Sequence, residues 1–300
     1  MSTGVGGIPQ LDGVPAPAHL PEQTHVGAVH LQISDLQRSV EYYEAVLGMD
    51  VLERGADRVS LGVRGAAPLV YLVEKNGVAP VPRRGRFGLY HFALLLPHRV
   101  ALGRLAAHLL RQGLRPGMAD HAVSEALYLS DPDGLGIEVY ADRPRASWTY
   151  RGEELVMTTE PLDVADLITA GEGKEWDGAP EGTTMGHVHL HVGDLAAAEA
   201  FYHHALGFEK KVWSYPGALF LSAGGYHHHL GTNTWSPGPS ARADEAKLLE
   251  WELVVPERRQ TNDVAQRLRA GGYVVDEAPD GVRTSDLWGT QVYVRSEESR

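Results

Sequence analysis

From about Thr24 onward, apolar and polar residues alternate with a period of two, interrupted by stretches with a helical period. Val26 to Ile33 alternates as a strand. Ser34-Asp35-Leu36 then opens a helix in which Val40, Tyr43, Val46 and Leu47 recur at helical spacing until Gly48 closes it. Arg58–Val63 and Leu69–Glu74 follow as strands. Leu89–Leu96 starts the pattern again, with a helix over Val100–Arg111 closed by Gly113 and strands at Glu125–Leu129 and Gly136–Tyr140. The predicted unit is therefore a strand, a helix and then two or three strands. Residues 1–23, rich in glycine and proline and poor in periodic apolar positions, are expected to form a flexible arm.

The pattern then repeats. Ser34-Asp35-Leu36 through Leu47-Gly48 matches Gly193-Asp194-Leu195 through Leu206-Gly207. The same displacement of 159 carries Tyr43 to Tyr202, Pro97 to Pro256 and Gly113 to Gly272. After a deletion of four residues, Gly134 falls on Gly289. The chain thus reads as four βαβββ modules, at about 24–76, 87–142, 185–235 and 246–296. They fall into a first domain over 24–142 and a second over 185–300, joined by a glycine- and proline-rich linker at 143–184.

Composition narrows the chemistry. The 300 residues include 27 basic and 39 acidic ones, a net charge of −12 that argues against nucleic acid or an anionic membrane as partner. There is no cysteine, which excludes disulfides, thiolate catalysis and sulfur-ligated metal, so any metal must sit on nitrogen and oxygen. A basic leader and a membrane-length apolar run are both missing, so the expected location is cytoplasmic.

Histidine is where the copies differ. Gly186-His187-Val188-His189-Leu190-His191-Val192 reads as a strand with three imidazoles on one face. At equivalent points of their first strands the four modules carry Ala28, His91, His187 and Glu250. The last strands of the second and fourth modules carry Glu138 and Tyr293. If each half closes on itself, neither assembles two histidines and a carboxylate. If the second and third modules share a sheet, His91, Glu138 and His187 meet, a set suited to non-haem Fe(II) with open coordination positions.

The run Gly186-His187-Val188-x-Leu190-x-Val192-x-Asp194-Leu195 resembles the vicinal oxygen chelate superfamily. So do Gly88-Leu89-Tyr90-His91-Phe92-Ala93 and the Asp131-Pro132-Asp133-Gly134 to Glu138-Val139-Tyr140 segment. Within the superfamily, the Tyr226-His227-His228-His229-Leu230-Gly231 stretch is similar to the ring-cleaving catechol 2,3-dioxygenase branch. The resemblance implies an α+β fold whose paired modules form open barrel-like mixed sheets around a metal site. It implies metal ligation by His91, Glu138 and His187, with Fe(II) as cofactor and Mn(II) or another divalent ion as a substitute. It implies His228 as the proton-handling group, Tyr128 as the residue steadying the developing ketone, and His121 close by. The implied partners are a small aromatic diol and O2, with neither nucleic acid nor membrane, and a homo-oligomer is compatible with it. The implied reaction opens the ring outside the diol. Two rivals are a glyoxalase-type isomerase or lyase, which needs a fourth ligand such as His229, and a binding protein without metal.

Overall fold

The computed structural model describes residues 19–82, 85–236 and 238–299. In every module the first and last strands run parallel. These pairs are His25–Ile33 with Val70–Glu74, Gly88–Leu95 with Gly136–Asp142, Thr184–His191 with Leu230–Asn233, and Lys247–Val255 with Gln291–Ser296. A parallel pair needs a crossover, and the module helix supplies it. The helices are Leu36–Leu47, Arg99–Arg111, the turn Leu195–Ala198 continued as a π-helix over Glu199–Ala205, and Arg258–Ala270. Asp35 starts the first of these by accepting from the Arg38 N–H at 3.0 Å. Gly48 ends it in the left-handed conformation at φ 67°, which a side chain would resist.

The parallel pairing leaves the other edge of each first strand without a partner inside its own module. That edge is filled by another module. His25–Ile33 pairs antiparallel with Lys247–Val255, and Gly88–Leu95 pairs antiparallel with Thr184–His191. Two eight-stranded mixed sheets result, one from modules one and four and the other from modules two and three. Each sheet thus takes one module from each half of the chain. The mixed α+β architecture matches the expectation, and two strands not resolved by periodicity, Asp50–Arg54 and Gly117–Asp120, complete the outer edges.

Side chains divide by strand periodicity. Val29, Leu31, Phe92, Leu94, Val188, Leu190, Trp251 and Leu253 all join one continuous apolar core with the helices. The alternate positions, including His91, His187, His189, Glu250 and Glu252, are buried but polar. The two modules of the first half are also tied through the Asp131-Pro132-Asp133-Gly134 turn. Asp133, fully buried, accepts from the Ser34 N–H and hydroxyl and from Arg38 at 2.7 Å. Asp131 Oδ1 accepts from the N–H groups of Asp133 and Leu135, and the Tyr43 hydroxyl approaches this carboxyl without closing a well-formed hydrogen bond. In the second half Tyr202 donates to Asp286 at 2.8 Å.

Of the expected arm, residues 1–18 lie outside the described residues; Leu20 is buried and its N–H donates to the Gly207 carbonyl. Segment 143–184 carries a short hairpin, Tyr150–Arg151 with Glu154–Leu155, and a helix, Val164–Ala170. That helix packs so closely on Arg99–Arg111 that a Cβ on Gly103 would lie 2.2 Å from the Leu167 carbonyl oxygen. Among the described residues no helix is long and apolar enough to cross a membrane.

Candidate metal centre

His91 and His187 come from the two antiparallel central strands of the second sheet, and Glu138 from the strand parallel to the first of them. His91 Nε2 lies 3.0 Å and His187 Nε2 3.2 Å from the same oxygen, Glu138 Oε2. One ligand atom from each residue falls within 4.8 Å of the others, and all three side chains are buried. Burial alone would raise the Glu138 carboxyl, but the facing imidazoles, His187 foremost, outweigh it and hold it well below the usual carboxylate range. Burial lowers His187 to about 4, which keeps its ring neutral with a lone pair to give.

These donors fit a divalent cation. Two imidazole nitrogens and a carboxylate oxygen are the hard-to-borderline set such ions take, with two coordinating histidines leaving room for further ligands. His91 Nε2 is fully occluded with no hydrogen bond of good geometry, and a buried polar atom left so costs about 1–3 kcal/mol. A cation between the three groups would satisfy it.

His91 and Glu138 open onto a cavity of about 260 Å3 lined by Tyr90, His121, Tyr128, His189, Tyr215, Phe220, His228 and Trp235, among others. Tyr128 stands directly across the strand pair from Glu138. Its hydroxyl is 2.6 Å from His121 Nε2, while His121 Nδ1 lies 2.6 Å from the Thr158 carbonyl. The carbonyl can only accept, so His121 carries its proton on Nδ1 and Tyr128 donates to Nε2. In this loop Ala122 takes the left-handed conformation at φ 66°, unfavourable for a residue with a Cβ, and its N–H donates to Asp120 Oδ1 at 2.9 Å. His228 packs its ring on His187 with centroids 4.1 Å apart. The six residues singled out in the sequence therefore share one site.

Three features differ from the expectation or exceed it. His227–His229 form a bend rather than a strand, so strand alternation does not govern them and all three are buried. His229, the fourth ligand a glyoxalase-type site would need, is not in the group of converging ligand atoms, and its Nδ1 accepts from the Ala223 N–H and faces the Ser222 hydroxyl, each at 3.2 Å. His189, another of the three imidazoles on that strand face, lines the cavity. Asn233 donates from Nδ2 to His189 Nε2 at 2.9 Å, its amide held in that sense by the Trp235 N–H on Oδ1.

A family model described as Glyoxalase/Bleomycin resistance protein/Dioxygenase superfamily matches residues 23–139 and 184–291. The chain belongs to this superfamily. A Bacillus subtilis (strain 168) protein named catechol-2,3-dioxygenase is 43% identical over 270 residues, covering 88% of this chain and 94% of the relative. Among solved structures, one from Bacillus subtilis subsp. subtilis str. 168 superposes with a TM-score of 0.66 at 13% identity, over 93% of this chain and 86% of its own. Glyoxalase I from Zea mays superposes at 0.54 and 17%, over 91% and 92%. Both likenesses concern the fold.

This superfamily member uses its two sheets unequally. On the sheet of modules one and four, the positions equivalent to the metal donors hold Ala28, Glu250 and Tyr293. Protein cations fill that face instead: Glu252 accepts from Arg295 at 2.8 Å and lies 3.2 Å from His30, and Glu250 accepts from Arg283 at 2.6 Å. Apart from the His91 set, one other cluster among the described residues has metal-ligand spacing, Glu199, His203 and His204 on the π-helix. There Lys210 already pairs with Glu199 at 2.7 Å.

Proposed function

We propose that this chain is an extradiol dioxygenase that holds Fe(II) on His91, His187 and Glu138 and opens a catechol-type ring with O2 to a semialdehyde. The observation that carries the reading is the convergence of two imidazoles and one ionised carboxylate beside an aromatic-walled cavity. That donor set is the one associated with non-haem Fe(II) oxygenases, and Mn(II) suits the same atoms. The named activity of the 43%-identical Bacillus relative supports the same choice.

A bound divalent ion would supply Lewis-acid activation of the diol and an open position for O2. The chain's own residues do the rest. Phe220, Tyr215 and Trp235 wall the cavity and exclude water from around the ring. His228 is within the cavity beside His187 and moves the proton of a diol hydroxyl, a task for which imidazole is suited. Tyr128 stands next to Glu138, and its O–H, turned from His121 Nε2 to the substrate oxygen, steadies negative charge there.

The test is anaerobic reconstitution with Fe(II), then oxygen uptake and visible absorbance on adding catechol, 4-methylcatechol or 2,3-dihydroxybiphenyl. Stoichiometric oxygen consumption with a yellow ring-opened product is expected. Full metal loading without oxygen uptake on any of the three diols would overturn the proposal.

A further inference from the structure

A line of hydrogen bonds leads from the end of the strand Gly136–Asp142 into the metal cavity. Asp142 Oδ1 lies 2.9 Å from His227 Nε2, and His227 Nδ1 lies 2.7 Å from His228 Nδ1. The same Asp142 oxygen accepts from the Tyr226 hydroxyl at 3.2 Å, and that hydroxyl is 2.6 Å from the one on Tyr140. His227 is fully buried, between the rings of Tyr226 and Trp148, whereas the Asp142 side chain keeps 27% of its surface in solvent.

A carboxylate can only accept, so with His227 uncharged Asp142 settles the direction of every bond in the line. His227 donates to it from Nε2. An uncharged imidazole has a single N–H, which leaves His227 Nδ1 as a lone pair. The 2.7 Å contact between the two Nδ1 atoms then requires His228 to be the donor, with its proton on Nδ1. His228 Nε2 remains as a lone pair. Among the described residues it has no hydrogen-bond partner, and His228 lines the cavity.

We propose that Asp142 and His227 are positioning residues that hold His228 in the tautomer able to take a proton from the substrate. The inference rests on the dioxygenase reading above for the identity of that substrate. In the step concerned, the O–H bond of one diol hydroxyl breaks and an N–H bond forms at His228 Nε2. The electron pair of the broken bond stays on the diol oxygen, and no outside oxidant or reductant takes part. The positive charge created on His228 is stabilised through His227 by Asp142, an arrangement in which an otherwise ambiguous imidazole is committed to one role.

The test reads the tautomer directly. In metal-free full-length protein labelled with 15N-histidine, long-range 1H–15N correlations distinguish protonated from unprotonated ring nitrogens, and loss of one ring's signals in His228→Gln assigns His228. The wild-type protein is expected to show His228 protonated on Nδ1. Asp142→Asn is expected to shift it to Nε2–H or to a mixture, and Asp142→Glu to restore it. In Fe(II)-loaded protein Asp142→Asn is expected to lower kcat by about 100-fold with KM within twofold and metal content unchanged. A wild-type His228 protonated on Nε2 would overturn the relay, and that measurement needs no variant to fold. An Nδ1–H pattern that persists in both Asp142→Asn and His227→Gln would do the same. Because the NMR experiment uses neither metal nor diol, its failure leaves ring cleavage standing. Absent oxygen uptake in a protein with the Nδ1–H tautomer would instead sink the dioxygenase reading alone.

Discussion

Asp131 should make this protein less stable as pH rises through neutrality, and Asp131→Asn should abolish that loss. The side chain is 5% exposed, and its Oδ2 has no hydrogen-bond partner. Burial, reinforced by the neighbouring Asp133, pushes its carboxyl from 3.8 up to about 7, against the pull of the Leu135 and Asp133 N–H groups. A folded-state value above the unfolded one means that the native protein binds the extra proton. Its contribution is therefore complete below pH 3.8 and lost as pH rises through 7. At 1.36 kcal/mol per unit, the full swing is on the order of 4 kcal/mol, and about 3 of it falls between pH 5 and pH 8. Asparagine does not titrate, keeps a carbonyl oxygen for the two N–H groups, and turns an amide towards Tyr43. Urea unfolding of metal-free wild-type and variant protein at pH 5 and pH 8 is the assay. The variant should gain about 3 kcal/mol on wild type between the two conditions. An unchanged difference between the two proteins would refute the reasoning.

The other predictions concern the two sheets. His91→Ala, His187→Ala and Glu138→Ala should each lose bound metal on desalting, as read by metal analysis, whereas Glu250→Ala and His229→Ala should retain it; metal loss in Glu250→Ala alone would mean that the wrong sheet has been assigned. His228→Ala should keep its metal and lose at least about 100-fold in turnover, measured by oxygen uptake. On the opposite sheet, burial opposes ionisation of Glu252, but His30 and Arg295 overcome it and hold the carboxyl down to about 2 from 4.5. A depressed value stabilises the fold above pH 4.5 and is lost as pH falls through 2, so Glu252→Gln should cost about 3 kcal/mol at pH 7 and much less at pH 3 in denaturant titrations.

Much of the site was legible in the residues because it is written into strand periodicity. Alternate positions of a strand share a face, so His187 and His189 had to lie together, and the displacement of 159 marked His91 and His187 as the histidines among four equivalent positions. The same rule places Glu138, Tyr140 and Asp142 on one face, the signal that points to the Asp142 end of the relay. The His227–His228 contact carried no such signal, because those residues sit in a bend where no period applies.

By itself the sequence determined the helix starts at Asp35 and Asp194 and the glycine stop at Gly48, since each depends on neighbours a few positions away. Only the tertiary structure decided which modules share a sheet. Every module presents the same unpaired edge on its first strand, so backbone hydrogen bonding is satisfied equally by several pairings. The choice lies in side chains that meet across long stretches of chain. His187 and Glu138 are 49 residues apart, His227 and Asp142 are 85 apart, and His30 and Glu252 join modules one and four from 222 apart. Pairing the second module with the third puts His91 and His187 beside one carboxylate, and leaves the first and fourth to neutralise their buried carboxylates with arginine.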